Sequence, residues 1–213
     1  MEKEADRIND REKLISEYEQ AGLMRVCEQM IEMVTPMLEE MATQVDAEYD
    51  RQVVQYISTR VKTPDSIYNK LIRKGRSGTI QKAVETLHDM AGIRVVCSFQ
   101  DDVYHVMKEI RKLPGLKFIK VKDYIAHPKQ TGYRSIHMIA EVPAIGTPIR
   151  MEIQVRSAAM NYWAMLDHQL SYKNKKMDEA KFQKMQKELK TCAIEIADID
   201  KKFLRIRKNI DRL

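Results

Sequence analysis

The sequence predicts an α/β (α+β) fold, a mixed sheet of about five strands flanked by helices and clasped by long helices at both ends. Three observations predict it. Strand-like and helix-like runs alternate through the middle of the 213-residue chain. Both ends carry apolar residues at steps of three and four, the period of packed helices. Neither a repeat of about 20 to 50 residues nor a low-complexity tract interrupts the pattern. The chain divides into an N-terminal helical segment over 1–50, a central α/β domain over 51–175 and a C-terminal heptad helix over 176–213.

Residues 2–20 are polar apart from Ile8, Leu14, Ile15 and Tyr18, the pattern of an exposed and frayed helix. From Leu23 the seam Leu23, Cys27, Met30, Val34, Met37 and Met41 marks a helix packed on another, which Thr35-Pro36 is expected to kink or restart. Residues 46–51 lead into a strand over 53–62. Thr63-Pro64 then reads as a helix start, because threonine caps well and proline needs no N–H at the first position. Gly75 and Ser77-Gly78 end that helix, and 79–88 has no clear assignment. Residues 91–99 read as a buried strand. A helix over 101–112 ends at Pro114-Gly115, and further strands follow over 116–124, 133–142 and 149–156. An amphipathic helix over 157–173 ends at Lys173, Lys175 and Lys176. Phe182, Met185, Leu189, Cys192, Ile196, Ile199, Phe203, Ile206, Ile210 and Leu213 make one long helix with a partner, either the helix from Leu23 or a second subunit.

No apolar run reaches the length of a membrane span and no signal peptide is visible, so a cytosolic protein is expected. Cys27, Cys97 and Cys192 are odd in number and far apart, which suggests core-filling thiols rather than disulfides or a zinc site. Fourteen Met against four Phe and one Trp suggest adaptable helix packing. The net charge of +6 is uneven. Residues 1–50 hold 5 basic and 14 acidic side chains, 51–170 hold 19 and 10, and 171–213 hold 13 and 7. A basic centre beside an acidic flank points to an anionic ligand and to subunits that attract one another.

Lys62, Ser66 and Lys70, each four residues apart, could face one polyphosphate together with Arg60, Arg73 and Lys74 at a helix N-terminus; a solvated basic face gives the same pattern. Asp89 stands before a buried strand and Arg94 inside it, as metal ligand and nucleotide contact or as a salt bridge. Met151 to Arg156 alternates, placing Glu152, Gln154 and Arg156 on one face; with Asp89, Glu152 could hold Mg²⁺. Tyr133, Ser135 and His137 alternate beside Lys129 after a glycine turn, and Asn161 on the next helix could read a base edge. There is no GxxxxGK[ST] loop and no GxGxxG. His88-Asp89 alone, without further ligands, is thin support for an HD phosphohydrolase.

Taken in order, RVKTPDSIYNK, DMAGIRVVC, KDYIAHPKQTGYRSIH, EIQVR and AMNYWA closely resemble the synthetase domain of the RelA/SpoT alarmone enzymes, from about Tyr56 to Lys173, in its small free-standing form. The resemblance implies a nucleotidyltransferase-type sheet and Mg²⁺-dependent transfer of the β,γ-pyrophosphate of ATP to the 3′-oxygen of GDP or GTP, giving ppGpp or pppGpp and AMP. It also implies that Arg60 and Arg94 hold adenine, while Lys62, Ser66, Lys70 and Arg73 bind the ATP phosphates. Asp89 and Glu152 would hold the metal, with Glu152 as base. Tyr133 would stack on guanine and Asn161 read it, with Lys122, Lys129, His137 and Gln154 on the acceptor. Thr131 stands where long relatives often carry Asn, which leaves the GDP/GTP preference open. Synthesis without hydrolysis, a homo-oligomer with a tetramer favoured, and a pppGpp or single-stranded RNA regulator near Tyr56 and Ser58 are further implications. The alternatives are a pyrophosphokinase for another acceptor, an adenine nucleotide or tRNA, and a non-catalytic RNA-binding module.

Overall fold

The computed structural model describes residues 2–172 and 178–212, with side chains from residue 9 to 170 and again from 178. Thus Ile8's side chain, the lysines at 173, 175 and 176, and Leu213 lie outside what is described. Helices α1 (Glu2–Gln20) and α2 (Leu23–Glu48) lead into strand β1 (Val54–Val61), then α3 (Pro64–Arg73), α4 (Ile80–Thr86), β2 (Ala91–Cys97) and α5 (Gln100–Ile110). Strands β3 (Lys117–Asp123), β4 (Ile136–Glu141) and β5 (Met151–Ser157) follow, then α6 (Ala158–Tyr172) and α7 (Glu179–Ile210).

The five strands form one mixed sheet in the order β1-β2-β5-β4-β3, parallel only between β2 and β5. Alternation along each strand gives the sheet two unlike faces. Ile93, Val95 and Cys97, Met151, Ile153 and Val155, and Ile136 and Met138 are buried in one core with Cys27, Met30, Val34 and Leu38 of α2 and Val103, Val106 and Ile110 of α5. At about 1.5–3 kcal/mol per fully buried large apolar side chain, this face is the main source of stability. The other face carries polar side chains. Register alone lines up Ser58, Arg94, Gln154, His137 and Lys122 as one row across all five strands.

Several expectations change. Helix α2 runs through Pro36 instead of restarting there. Pro36 sits on the exposed side, and the buried seam steps from Val34 to Leu38, Met41 and Val45, so Met37 is only half-buried. Helix α1 is docked rather than wholly exposed: Leu14 and Tyr18 are buried, and Arg11 pairs with Asp65 of α3 at 2.5 Å. Residues 80–86 form α4, capped by the Thr79 side chain accepting from the Lys82 N–H. Cys27 and Cys97 fill the core, but Cys192 is exposed. Along α7 the predicted seam splits. Leu189, Ala193, Ala197 and Asp200 are buried, while Ile199, Phe203, Ile206 and Ile210 are each about half exposed or more, at 49, 57, 55 and 62%.

Candidate active site

The polar face divides into two halves, one built from β1, α3 and the residues before β2, the donor half after the role proposed for it below, and one built from β4, β5 and the loop before β4, likewise the acceptor half. In the donor half, the Lys62 N–H donates to the Met90 carbonyl (2.8 Å), extending the β1–β2 ladder by one bond and setting Lys62 beside Asp89. Thr63 caps α3, accepting from the Ser66 N–H at 3.3 Å, with Pro64 at the first helical position. One and a half turns further, Lys70 reaches the same carboxylate. Asp89 Oδ2 accepts from Lys62 Nζ and from Lys70 Nζ, the latter at 2.6 Å.

Burial pushes the Asp89 carboxyl up, but the two lysines outweigh it and hold its pKa down to about 2. Lys62 shifts downward as well, through burial and the neighbouring Lys70, against the pull of Asp89. Two ammonium groups share one carboxylate, so the cluster carries an excess positive charge that a polyphosphate would neutralise. Arg60 is exposed one rung from Arg94 on the same face; Arg94 is half-buried, and its Nε has no hydrogen-bond partner among the described residues. Ser66 lies in the first turn of α3 and Arg73, exposed, in the last.

In the acceptor half, Glu152 is 8% exposed and both its oxygens are engaged, Oε1 with His137 Nδ1 (2.9 Å) and Oε2 with Gln154 Nε2 (2.6 Å). Burial would raise its pKa; these two hydrogen bonds and the imidazole bring it below the usual glutamate value, with Asp89 opposing. Burial pushes His137 down, so the imidazole is neutral at neutral pH. His137 Nε2 meets the Tyr133 hydroxyl at 2.7 Å. Tyr133 lies edge-on to Tyr124, His137 and Trp163, and Lys129 Nζ sits 4.6 Å from its ring centroid. Asn161 is buried on α6, donating to the Tyr56 hydroxyl (2.7 Å), and its Oδ1 has no partner among the described residues. Lys122 is paired with His137 across β3 and β4.

Of the sequence-predicted residues, Lys62 and Lys70 meet at Asp89, hydrogen bonds link Tyr133, His137, Glu152 and Gln154, and Arg94, Gln154, His137 and Lys122 share one row. Ser66, by contrast, bonds Thr63 in the α3 cap, and Arg73 is exposed at the end of α3. Two corrections apply. Strand β4 begins at Ile136, so Tyr133 and Ser135 precede it; Ser135 is buried and donates to the Val155 carbonyl (3.2 Å) instead of lining the cleft. The sequence places Arg156 with Glu152 and Gln154 on one strand face but assigns it no partner or ligand, and it gives no role to Tyr124 or Trp163. Arg156 shares the alternation of Glu152 and Gln154, which was the available signal; nothing local marks Tyr124 or Trp163 as neighbours of Tyr133.

Hard oxygen donors suit Mg²⁺. Asp89 keeps Oδ1 buried without a partner among the described residues, and its charge opposes the lowering of the Glu152 pKa. Among the described residues no group of three His, Cys, Asp or Glu gathers, so the protein would offer a metal two carboxylates and substrate phosphates the rest.

A mixed sheet presenting cations and two carboxylates on one open face defines a phosphoryl- or nucleotidyl-transfer class of site. Residues 59–177 match the family described as "Region found in RelA / SpoT proteins", and the chain belongs to that family. It is 41% identical over 163 residues to the GTP pyrophosphokinase YwaC of Bacillus subtilis, covering 74% of this chain and 76% of that one. It is 33% identical over 149 residues to YjbM, a GTP pyrophosphokinase of the same organism, covering 68% and 69%. Among solved structures it is similar to small alarmone synthetase 1 of B. subtilis bound to its product pppGpp (TM-score 0.80, 27% identity, 91% of this chain and 98% of that one). It is also similar to a GTP pyrophosphokinase family protein of Streptococcus pneumoniae (TM-score 0.77, 30% identity, 91% and 95%). No described helix is long and apolar enough to cross a membrane.

Proposed function

We propose that the protein is a small alarmone synthetase, a cytosolic GTP/GDP pyrophosphokinase that moves the β,γ-pyrophosphate of ATP to the 3′-oxygen of GDP or GTP. What supports this reading is Asp89 held by Lys62 and Lys70 just before β2 and Glu152 held by His137 and Gln154 on β5, in a chain of this family. Asp89 among Lys62 and Lys70 marks the donor end. Glu152 in its hydrogen-bonded pocket marks the acceptor end.

Arg60 and Arg94 offer guanidinium planes to adenine. Lys62, Ser66, Lys70 and Arg73 take the phosphates, and the two lysines exchange Asp89 for phosphate oxygens as ATP arrives. Tyr133 presents its ring to guanine and Asn161 its free Oδ1, while Lys122, Lys129, His137 and Gln154 hold ribose and 5′-phosphates. Glu152 accepts the proton of the 3′-hydroxyl. The 3′-oxygen forms a bond to the β-phosphorus, the bond between that phosphorus and the α,β-bridging oxygen breaks, and AMP leaves with the electron pair. Asp89 and Glu152 would hold Mg²⁺, which supplies charge neutralisation across the phosphates. The rest of the rate comes from alignment of alcohol and phosphorus.

The apolar stripe of Ile199, Phe203, Ile206 and Ile210 on α7 supports a homo-oligomer, with a tetramer favoured. A pppGpp or single-stranded RNA regulator near Tyr56 and Ser58 belongs to the same reading. Incubation with γ-labelled ATP and, separately, GDP, GTP, an adenine nucleotide and uncharged tRNA tests the activity. Label on the guanine nucleotide with stoichiometric AMP is expected; label on no guanine nucleotide overturns it.

A further inference from the structure

Arg156 has no role in the reading above, yet it is the only Arg or Lys among the described residues that is buried, at 5% exposure. Its Nη2 donates to the Tyr133 hydroxyl (2.6 Å) and to Gln154 Oε1 (2.6 Å), its Nε to Ser135 Oγ (3.4 Å), and its guanidinium carbon lies 5.1 Å from the Tyr133 ring centroid. No carboxylate pairs with it among the described residues.

The direction of every bond around Glu152 follows from what each group can do. A guanidinium only donates and a carboxylate only accepts. With its oxygen accepting from Arg156, Tyr133 gives its one hydrogen to His137 Nε2. Nε2 then accepts, so His137 carries its hydrogen on Nδ1 and donates it to Glu152 Oε1. Gln154, accepting from Arg156 through Oε1, turns its amide nitrogen to Glu152 Oε2. Two chains thus start at Arg156 and close on the two oxygens of Glu152, one through Tyr133 and His137, the other through Gln154. The ring that would receive guanine and the carboxylate that would receive the 3′-hydroxyl proton belong to one hydrogen-bonded circuit.

We propose that Arg156 is a positioning residue of the acceptor site: by setting the direction of both chains it holds the Tyr133 ring and the Glu152 carboxylate in one fixed relation before the guanine nucleotide binds. The inference rests on the function proposed above and adds to it a residue that touches neither nucleotide. Of the two cations beside the Tyr133 ring, exposed Lys129 can give way to a base, whereas buried Arg156 stays. The bonds of this circuit are buried or part-buried, such bonds fix one another's direction, and loss of one member leaves its neighbours without that partner.

Steady-state kinetics with ATP and GDP on the wild type, Arg156→Met, Arg156→Lys and Tyr133→Phe, each checked for fold by circular dichroism and thermal melting, tests the proposal. Tyr133→Phe keeps the ring and cuts one chain. It is expected to lower kcat by about tenfold with the KM for GDP within about threefold of wild type. Arg156→Met cuts both chains, and kcat should fall by about 100-fold or more, with KM for ATP unchanged within about twofold. A lysine ammonium can still donate to both Tyr133 and Gln154, so Arg156→Lys should recover at least about tenfold of that loss. Wild-type kinetics for Tyr133→Phe, or a folded Arg156→Met that loses ATP and GDP affinity alike with kcat preserved, would overturn the proposal. If Arg156→Met does not fold, Tyr133→Phe decides alone. A wild type that transfers no pyrophosphate to guanine nucleotides would instead overturn the proposed function.

Discussion

The two halves of the polar sheet face hold their carboxylates by opposite means. Asp89 sits between two lysines, and its environment is overcharged; Glu152 accepts from the neutral groups His137 and Gln154, with the cations Arg156 and Lys129 one step further off. The donor half is a set of charges whose partners must be exchanged when a polyphosphate arrives. The acceptor half already holds its geometry. An enzyme attacking a highly charged phosphorus with a neutral alcohol gains from that division, since the alcohol needs fixed orientation and the phosphates need countercharge.

The largest expected effect separates the two halves by chemistry. Glu152→Gln removes the proposed proton acceptor and turns an amide N–H₂ toward either His137 Nδ1–H or the Gln154 amide, placing donor against donor. Activity should fall about 10³-fold or more. Asp89→Asn should lower activity similarly through the phosphates, but with the His137 and Gln154 contacts untouched. Retention of RNA by Asp89→Asn at or above the wild-type level, with wild-type pyrophosphokinase activity, would favour the RNA-binding alternative. Product formation from labelled ATP measures both variants.

Next in size, Lys70→Met leaves Asp89 with Lys62 alone and removes one of the proposed phosphate contacts. KM for ATP should rise about 10- to 100-fold while KM for GDP moves little, because Lys70 belongs to the donor half. Equal shifts in both constants would break the division drawn here.

Much of this division was legible in the sequence. The donor half follows from local rules: Thr63-Pro64 starts a helix, and four-residue spacing carries Ser66 and Lys70 along one face toward Lys62. The row Ser58, Arg94, Gln154, His137 and Lys122 required the strand order and register, which no single strand encodes, so only its members, and not their alignment, could be read. Arg156 stood in the correct alternation, but its partners come from a loop and from its own strand, and an arginine near a strand end usually reads as solvated. A heptad template of alternating fours and threes puts Met37 in the α2 seam where the structure buries Leu38, because it has no second consecutive step of four after Val34; Met41 lies in the seam as expected. Helix α1 reads as exposed because two buried residues, Leu14 and Tyr18, among the described side chains of 9–20 are a weak stripe.

A smaller effect concerns pH. The folded-state pKa of Asp89, about 2, lies below the unfolded value of about 3.9. Its ionised form therefore stabilises the fold above about pH 4, and that contribution is lost as pH falls through about 2. Urea unfolding should show wild type more stable than Asp89→Asn by roughly 2 kcal/mol at pH 7, with the gap closing toward pH 2. A gap independent of pH between 7 and 2 would mean that the lysines do not hold Asp89 ionised in the way the donor half requires.

The smallest effect lies behind the donor half, where α1 backs α3. Tyr18 is 2% exposed, its hydroxyl has no hydrogen-bond partner among the described residues, and burial, then Cys27 and Glu28, raises its pKa to about 12. A buried hydroxyl without a partner keeps its desolvation cost and returns nothing, so Tyr18→Phe, which keeps the ring packed beside Leu14, should stabilise the protein by about 1 kcal/mol. Because α1 supports α3 through packing and the Arg11–Asp65 pair rather than through this hydroxyl, KM for ATP should not change. Denaturant midpoints together with ATP kinetics test both halves of that statement: a destabilised Phe variant would reveal a partner for the hydroxyl, and a shifted KM would mean that α1 helps to set the position of Lys70.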